Sequence, residues 1–364
     1  MPKRIFLTVT NDLTYDQRMQ RICTSLAENG YTVTLVGFRR RHSKPLREEK
    51  FNQKRLSLIF SKGKLFYAEC NLRLFFWLLF RKMDGICAID LDTIFPCLWI
   101  SKLKKIPRVY DAHELFTETK EVIRRPAIKK IWMGIEKKAV PQYKAGYTVS
   151  ASIAREFEKR YNVHYGVIRN LTLLRNDIPA IPDRTFILYQ GAVNEARCFE
   201  SLIPAMKQVN AKLVICGDGN FMQQLKGLIR ENHVSDKVEL RGMLSPEELW
   251  QISLHARVGI TIIENNGLNQ YFSLPNKFFD YIHAEIPQVA VNYPEYRAIN
   301  EQFEVAVLLD HTEPEIIAAA INNLLSNDVL YKRLRENCLK ARQMLNWQQE
   351  EKKLVNFYQS VFKQ

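Results

Sequence analysis

Short runs of β-branched and aromatic residues alternate with stretches of helical period from the first residues onward. Ile5 to Val9 is followed by an amphipathic stretch over 16–29 and then by 31–37, with Gly30 where a helix end favours a left-handed residue. The alternation continues through 85–89, a helical 94–103, 108–112, a helix over 127–144 and a strand at 145–149. Strands separated by helices predict parallel pairing through crossovers, so the first half reads as a doubly wound α/β sheet.

The pattern breaks at 171–184, where two prolines and little periodicity mark an interdomain connection. It then restarts. Strands are expected at 186–189, 212–216, 238–240, 258–262 and 288–291, separated by helices around Leu202, over 221–232 and over 246–254. From Pro314 the chain reads as helical, ending in 347–362 with Leu354, Phe357, Tyr358 and Phe362 on one stripe. The predicted division is a domain over 1–170, a linker over 171–184, a second domain over 185–345 and a terminal helix over 346–364. Two open α/β sheets bind ligands at the carboxyl ends of their strands. Gly191, Gly217-Asp218-Gly219 and Arg241-Gly242 fall at such ends, where glycine lets backbone approach a ligand or simply makes a tight turn.

The composition changes this picture little. The chain has 364 residues, 46% hydrophobic and 25% charged, which is the usage of a folded globular chain long enough for two cores. Seven cysteines, scattered and never in a C-x-x-C pair, suggest neither a disulfide framework nor a zinc site and fit a reducing cytoplasm. The first ten residues run from two charges straight into a strand, without the apolar region of a signal peptide. The most apolar run, Leu74 to Phe80, is far short of the ~20 residues that span a bilayer.

Charge does add something. Fifty-three Lys and Arg against 39 Asp and Glu give +14, clustered at 39–41, 102–105, 124–125 and 129–130. Such charge favours anionic partners. No zinc-finger, RNP-type or helix-turn-helix pattern accompanies it, so nucleic acid is not expected. The clusters flank Trp-, Phe- and Leu-rich amphipathic segments, which is the composition of a peripheral contact with anionic membrane as well as of a merely solvated basic surface.

Residues 271–287 carry the densest candidate chemistry. Ser273 is placed to cap a helix with Pro275 in its first turn, and Asn276 and Lys277 put a donor and a cation beside free backbone N–H groups. Asp280 follows one turn later, so a nucleotide diphosphate lying on that face would meet donors at its phosphates and a carboxylate at its ribose. An ordinary capped amphipathic helix fits the same residues.

Several segments in order resemble the retaining family 4 glycosyltransferases over essentially the whole chain. These are Asp111-Ala112-His113-Glu114-Leu115, Ser150-Ala151-Ser152-Ile153-Ala154, Ile168-Arg169-Asn170, Tyr189-Gln190-Gly191 with Arg197, and Ser273 to Pro287, an SLPNKxFDY variant of the nucleotide-sugar motif. The resemblance implies the GT-B fold, two facing Rossmann-like domains with a terminal helix crossing back to the first. It implies a hexose transferred with retention from a nucleoside diphosphate sugar to a hydroxyl of a glycan or lipid-linked acceptor. No metal and no cofactor beyond the donor are expected.

Residue by residue, Asp280 would accept from the ribose hydroxyls, while Arg197 and Lys277, with the backbone of Ser273, Leu274, Pro275 and Asn276, would hold the diphosphate. Gly191, Gly217 and Gly219 would border the nucleotide, Gly242, Met243 and Leu244 would face the base, and His113 would contact the transferred sugar. The Asp90-Leu91-Asp92 segment would line the acceptor cleft. Arg18, with its neighbours from Asp16, reads as a helix-end charge. Departures stand beside these matches: Ala192 replaces an arginine common in relatives, Asp280 is one methylene shorter than their Glu, and Glu285 stands where their helix ends in Gly. They leave room for a nucleotide-sugar epimerase of the same fold or for a degenerate, non-catalytic partner protein.

Overall fold

The computed structural model describes residues 1–14, 16–41, 43–175 and 184–363. The chain forms two compact units, one of residues 1–170 with 350–364 and one of residues 171–349. Of the expected linker, 176–183 lie outside the described residues; Thr172 and Leu174 before them bond to Trp347 and Gln348 within the second unit.

The first unit is built on seven parallel strands: β1 (Arg4–Thr8), β2 (Thr32–Phe38), β3 (Asn52–Leu56), β4 (Gly85–Ile89), β5 (Arg108–Ala112), β6 (Ala145–Thr148) and β7 (Gly166–Val167). Their order is β3-β2-β1-β4-β5-β6-β7, the strand exchange beside β1 that a doubly wound sheet requires. Helix α1 (Gln17–Glu28) starts where Asp16 accepts from the Met19 N–H at 3.0 Å, and stops before Gly30, whose φ of +87° suits the turn. It buries Met19, Ile22, Cys23 and Leu26 against the sheet. Helices α2 (Gly63–Leu79) and α3 (Ile94–Lys104) pack together and lead into and out of β4.

The helix Trp347–Lys363 completes this unit from Glu350 onward. Its Phe357 ring stands 5.1 Å from Tyr147, Tyr358 lies between Tyr147 and Tyr31, and Phe362 covers Gly85 so closely that a Cβ there would come within 2.6 Å of its ring. That Gly85 has no side chain is what lets the aromatic stripe lie on the sheet.

The second unit holds β8 (Phe186–Gln190), β9 (Leu213–Cys216), β10 (Val238–Gly242), β11 (Ala256–Thr261), β12 (Gln288–Val291) and β13 (Ala306–Leu309). All pair in parallel in the order β10-β9-β8-β11-β12-β13. The helix Asn276–His283 packs Phe278, Phe279 and Ile282 into the core. It ends at Glu285, which holds φ +57° and is buried. Its carboxylate is held by Arg335 at 2.9 Å, Arg342 at 3.5 Å and Arg184 at 3.8 Å, so three cations offset the backbone cost of a non-glycine there.

Among the described residues no helix is long and apolar enough to cross a membrane, and all seven cysteines are buried and free.

Candidate functional site

At the carboxyl end of the second sheet, three strand ends meet through backbone. The Gly191 N–H donates to the Cys216 carbonyl at 2.9 Å and the Gly217 N–H to the Gly242 carbonyl at 2.7 Å. Gly217 has φ +150°, and a Cβ on it would fall 1.9 Å from the Gly191 oxygen; one on Gly219 would fall 2.3 Å from the Val193 oxygen. Only glycine allows this closure. Met243 is exposed and Leu244 half-buried beyond it.

Lys277 enters the same place from below. Its side chain is buried, its ammonium stands 3.5 Å from the centre of the Tyr189 ring, and its Cε lies 3.6 Å from where a Gly191 Cβ would be. The Nζ has no hydrogen-bond acceptor among the described residues. Burial, reinforced by repulsion from nearby Arg197, drives its pKa well below the usual lysine value, while Asp280 opposes the shift. A desolvated cation without an acceptor, facing an open glycine turn, is a site complementary to an anion.

Asp280 lies one turn further along the helix, half-buried, with both oxygens engaged. Thr172 donates to one at 2.6 Å and the Gln190 side-chain amide to the other at 2.9 Å; Ser253 in turn holds Gln190 at 3.2 Å. The expected cap is not formed. Ser273 instead donates to the Gln270 carbonyl at 2.8 Å, closing the short helix Leu268–Tyr271, and the next helix begins at Asn276 after Pro275 with no side-chain cap. Leu274 is buried and Asn276 exposed. Its first N–H groups therefore lack the serine that was expected to occupy one of them.

In the first unit, a second cluster gathers at the ends of β1, β4 and β5. Arg18 is buried in α1 and pairs with Asp111 at 2.9 Å while donating to the Ile168 carbonyl at 3.0 Å, so it is a core ion-pair residue and not a helix-end charge. Asp111 also faces His113 Nε2 at 3.1 Å, and Asp90 faces the other ring nitrogen at 3.5 Å while accepting from the His113 backbone at 2.8 Å. Burial disfavours the imidazolium, but Asp111 and Asp90 outweigh it and raise His113 to about 9, with 22% of the side chain open to water. Burial likewise pushes up Asp111, yet Arg18 and His113 hold it below the usual carboxylate range. Asp90, on a left-handed backbone with φ +56°, and Asp92, bonded by Thr10, are both raised by burial, Asp92 to about 6.

Periodicity brings out the glycine turns and the 271–287 segment. Thr172 and Ser253 carry no such signal, and Arg18 and Gln190, read from the sequence as a helix-end charge and as part of a motif, owe their roles to partners distant in the chain.

Comparison with known proteins matches two family models. Residues 17–171 match Glycosyltransferase Family 4, and residues 172–341 match Glycosyl transferases group 1. No curated protein sequence matches the chain. Among solved structures, a sucrose-phosphate synthase from Thermosynechococcus elongatus superposes with TM-score 0.82 at 16% identity, covering 99% of each chain. Anabaena HepE, solved in complex with UDP-glucose, gives 0.76 at 13% identity over 98% of this chain and 100% of its own. WaaG, a glycosyltransferase involved in lipopolysaccharide biosynthesis, gives 0.71 at 12% identity over 97% and 98%. The two halves of the chain thus match, in turn, two glycosyltransferase family models that adjoin at residues 171 and 172, and the chain has the GT-B fold that these structures share over nearly its whole length.

Proposed function

We propose that the chain transfers a hexose, with retention, from a nucleoside diphosphate sugar to a hydroxyl of a surface-glycan or lipid-linked acceptor. The observation that carries this reading is the buried Lys277 ammonium, without a hydrogen-bond acceptor among the described residues, beside the Gly191 turn. A diphosphate seated there would be met by Lys277, Arg197 and backbone N–H groups, which compensates for the alanine at 192. Solved complexes such as that of HepE with UDP-glucose support the donor class.

In this reading the anomeric C–O bond breaks with its electron pair passing to the diphosphate oxygen. The acceptor oxygen attacks from the same face, its proton passing to the departing phosphate. Lys277 and Arg197 stabilise the charge that develops on the leaving group. Asp280, held in place by Thr172 and Gln190, would accept from the ribose diol. Gly217, Gly219 and Gly242 to Leu244 would border the nucleoside. His113, a cation held between two carboxylates, would orient the sugar and would not act as a base. No cofactor is called for beyond the donor.

The test is a calorimetric titration of UDP and GDP, with and without Mg²⁺, against the wild type and Asp280→Ala. One nucleotide is expected to bind, and the substitution to weaken it about 10- to 100-fold, the worth of a hydrogen bond to a charged group. NMR of the product then reads its anomeric configuration. An isomerised nucleotide sugar formed without acceptor would favour an epimerase, and no nucleotide binding would favour a non-catalytic partner.

A further inference from the structure

Apart from the two clusters, the feature that packing leaves unexplained is the outer side of α2 and α3. Leu72, Phe76 and Phe80 recur every four residues along one side of α2 and just past its end, and all three are exposed. Trp99 and Leu103, four apart on α3, are exposed as well, and exposure reaches 81% at Phe80 and 52% at Trp99. Phe75 links the two sets, its ring 5.5 Å from Phe76 and 6.2 Å from Trp99. The helices thus present one continuous, exposed apolar row.

Within the segment that carries it, the exposed charges are all basic. Between 62 and 108 the acidic residues are Glu69, Asp84, Asp90 and Asp92. Each is engaged: Glu69 by Arg73 and the Ile59 and Phe60 N–H groups, Asp84 by Arg4, Asp90 by His113 and Asp92 by Thr10. Arg81, Lys82, Lys102 and Lys105 are exposed at the helix ends, whereas Lys104 is turned inward onto the Leu79 carbonyl at 2.8 Å.

We propose that this face of α2 and α3 docks on an anionic lipid bilayer, with the aromatic row in the interface and Lys82, Lys102 and Lys105 at the headgroups. An exposed row of Phe, Trp and Leu suits the boundary between headgroups and acyl chains, and exposed lysines at the helix ends suit anionic lipid. The helices lie on the membrane without crossing it. This inference stands on the surface alone and does not depend on the transfer reaction.

The full chain is sedimented with vesicles of phosphatidylcholine alone and with added phosphatidylglycerol, at low and high salt, with Trp99 emission quenched by brominated lipid. Binding is expected only with phosphatidylglycerol, weaker at high salt, and with quenching that Trp99→Phe removes. Phe76→Ser with Phe80→Ser, and Lys82→Glu with Lys105→Glu, should each lower the partition coefficient at least about tenfold, while thermal unfolding and nucleotide titration stay unchanged. Wild-type chain that ignores both vesicles, binds both equally, leaves Trp99 unquenched, or covers the row by self-association in the ultracentrifuge would overturn the proposal.

Discussion

Lys277 sets the terms at the residue scale, because a buried ammonium without an acceptor destabilises the chain that carries it. Lys277→Met should therefore raise the nucleotide-free stability, by the order of 1–2 kcal/mol, while removing the stabilisation that nucleotide confers; thermal scans with and without UDP or GDP check both. Because its pKa is depressed in the free protein, binding of a diphosphate should draw in a proton. Calorimetry in buffers of different ionisation enthalpy would show that uptake, with affinity rising as pH falls. Glu285 carries the opposite balance. Glu285→Gly relieves roughly 1–2 kcal/mol of backbone cost but strands three arginines, so a net loss of about 2–3 kcal/mol is expected in urea unfolding. His113 makes the first unit sensitive to alkali. Its folded value of about 9 lies above its usual 6.5, so its contribution is full below 6.5 and is lost as pH rises through 9. His113→Gln should flatten that loss, about 2–3 kcal/mol, in unfolding measured from pH 6 to 10.

The strand-end turns decide what happens at the scale of elements. Gly217→Ala would drive a methyl into the Gly191 oxygen, so the β8 and β9 turns would separate, nucleotide binding would fall, and the second unit would unfold earlier in denaturant. These turns were legible in the sequence because a glycine right after an apolar strand has few other uses. Most of the buried strands were legible too, being continuous apolar runs, although β13 and the two-residue β7 were not among those expected. β3 was not: its Asn52, Gln53, Lys54 and Arg55 lack an apolar period, and it is a strand because β2 offers it an edge. Ser273 misled for a local reason, since its hydroxyl closes the turn behind it and never reaches the helix ahead. Arg18 misled for a distant one. Its partner Asp111 lies 93 residues away, and only the folded sheet brings α1 over the end of β5.

At the scale of the molecule, residues 350–364 return to a unit whose other residues end at 170. The stripe of Leu354, Phe357, Tyr358 and Phe362 covers Gly85, Tyr31 and Tyr147, so removing 350–364 uncovers one face of the first sheet. A chain ending at Gln349 should lose the protease resistance of the first unit while the second still binds nucleotide, as limited proteolysis and titration would report. Synthesis imposes the same dependence in time. A ribosome adding about 5–20 residues per second needs on the order of 10–40 s to pass from 170 to 350. Throughout that interval the finished first sheet waits with its aromatic face open, a natural landing place for a chaperone and a mark by which a prematurely terminated chain is recognised.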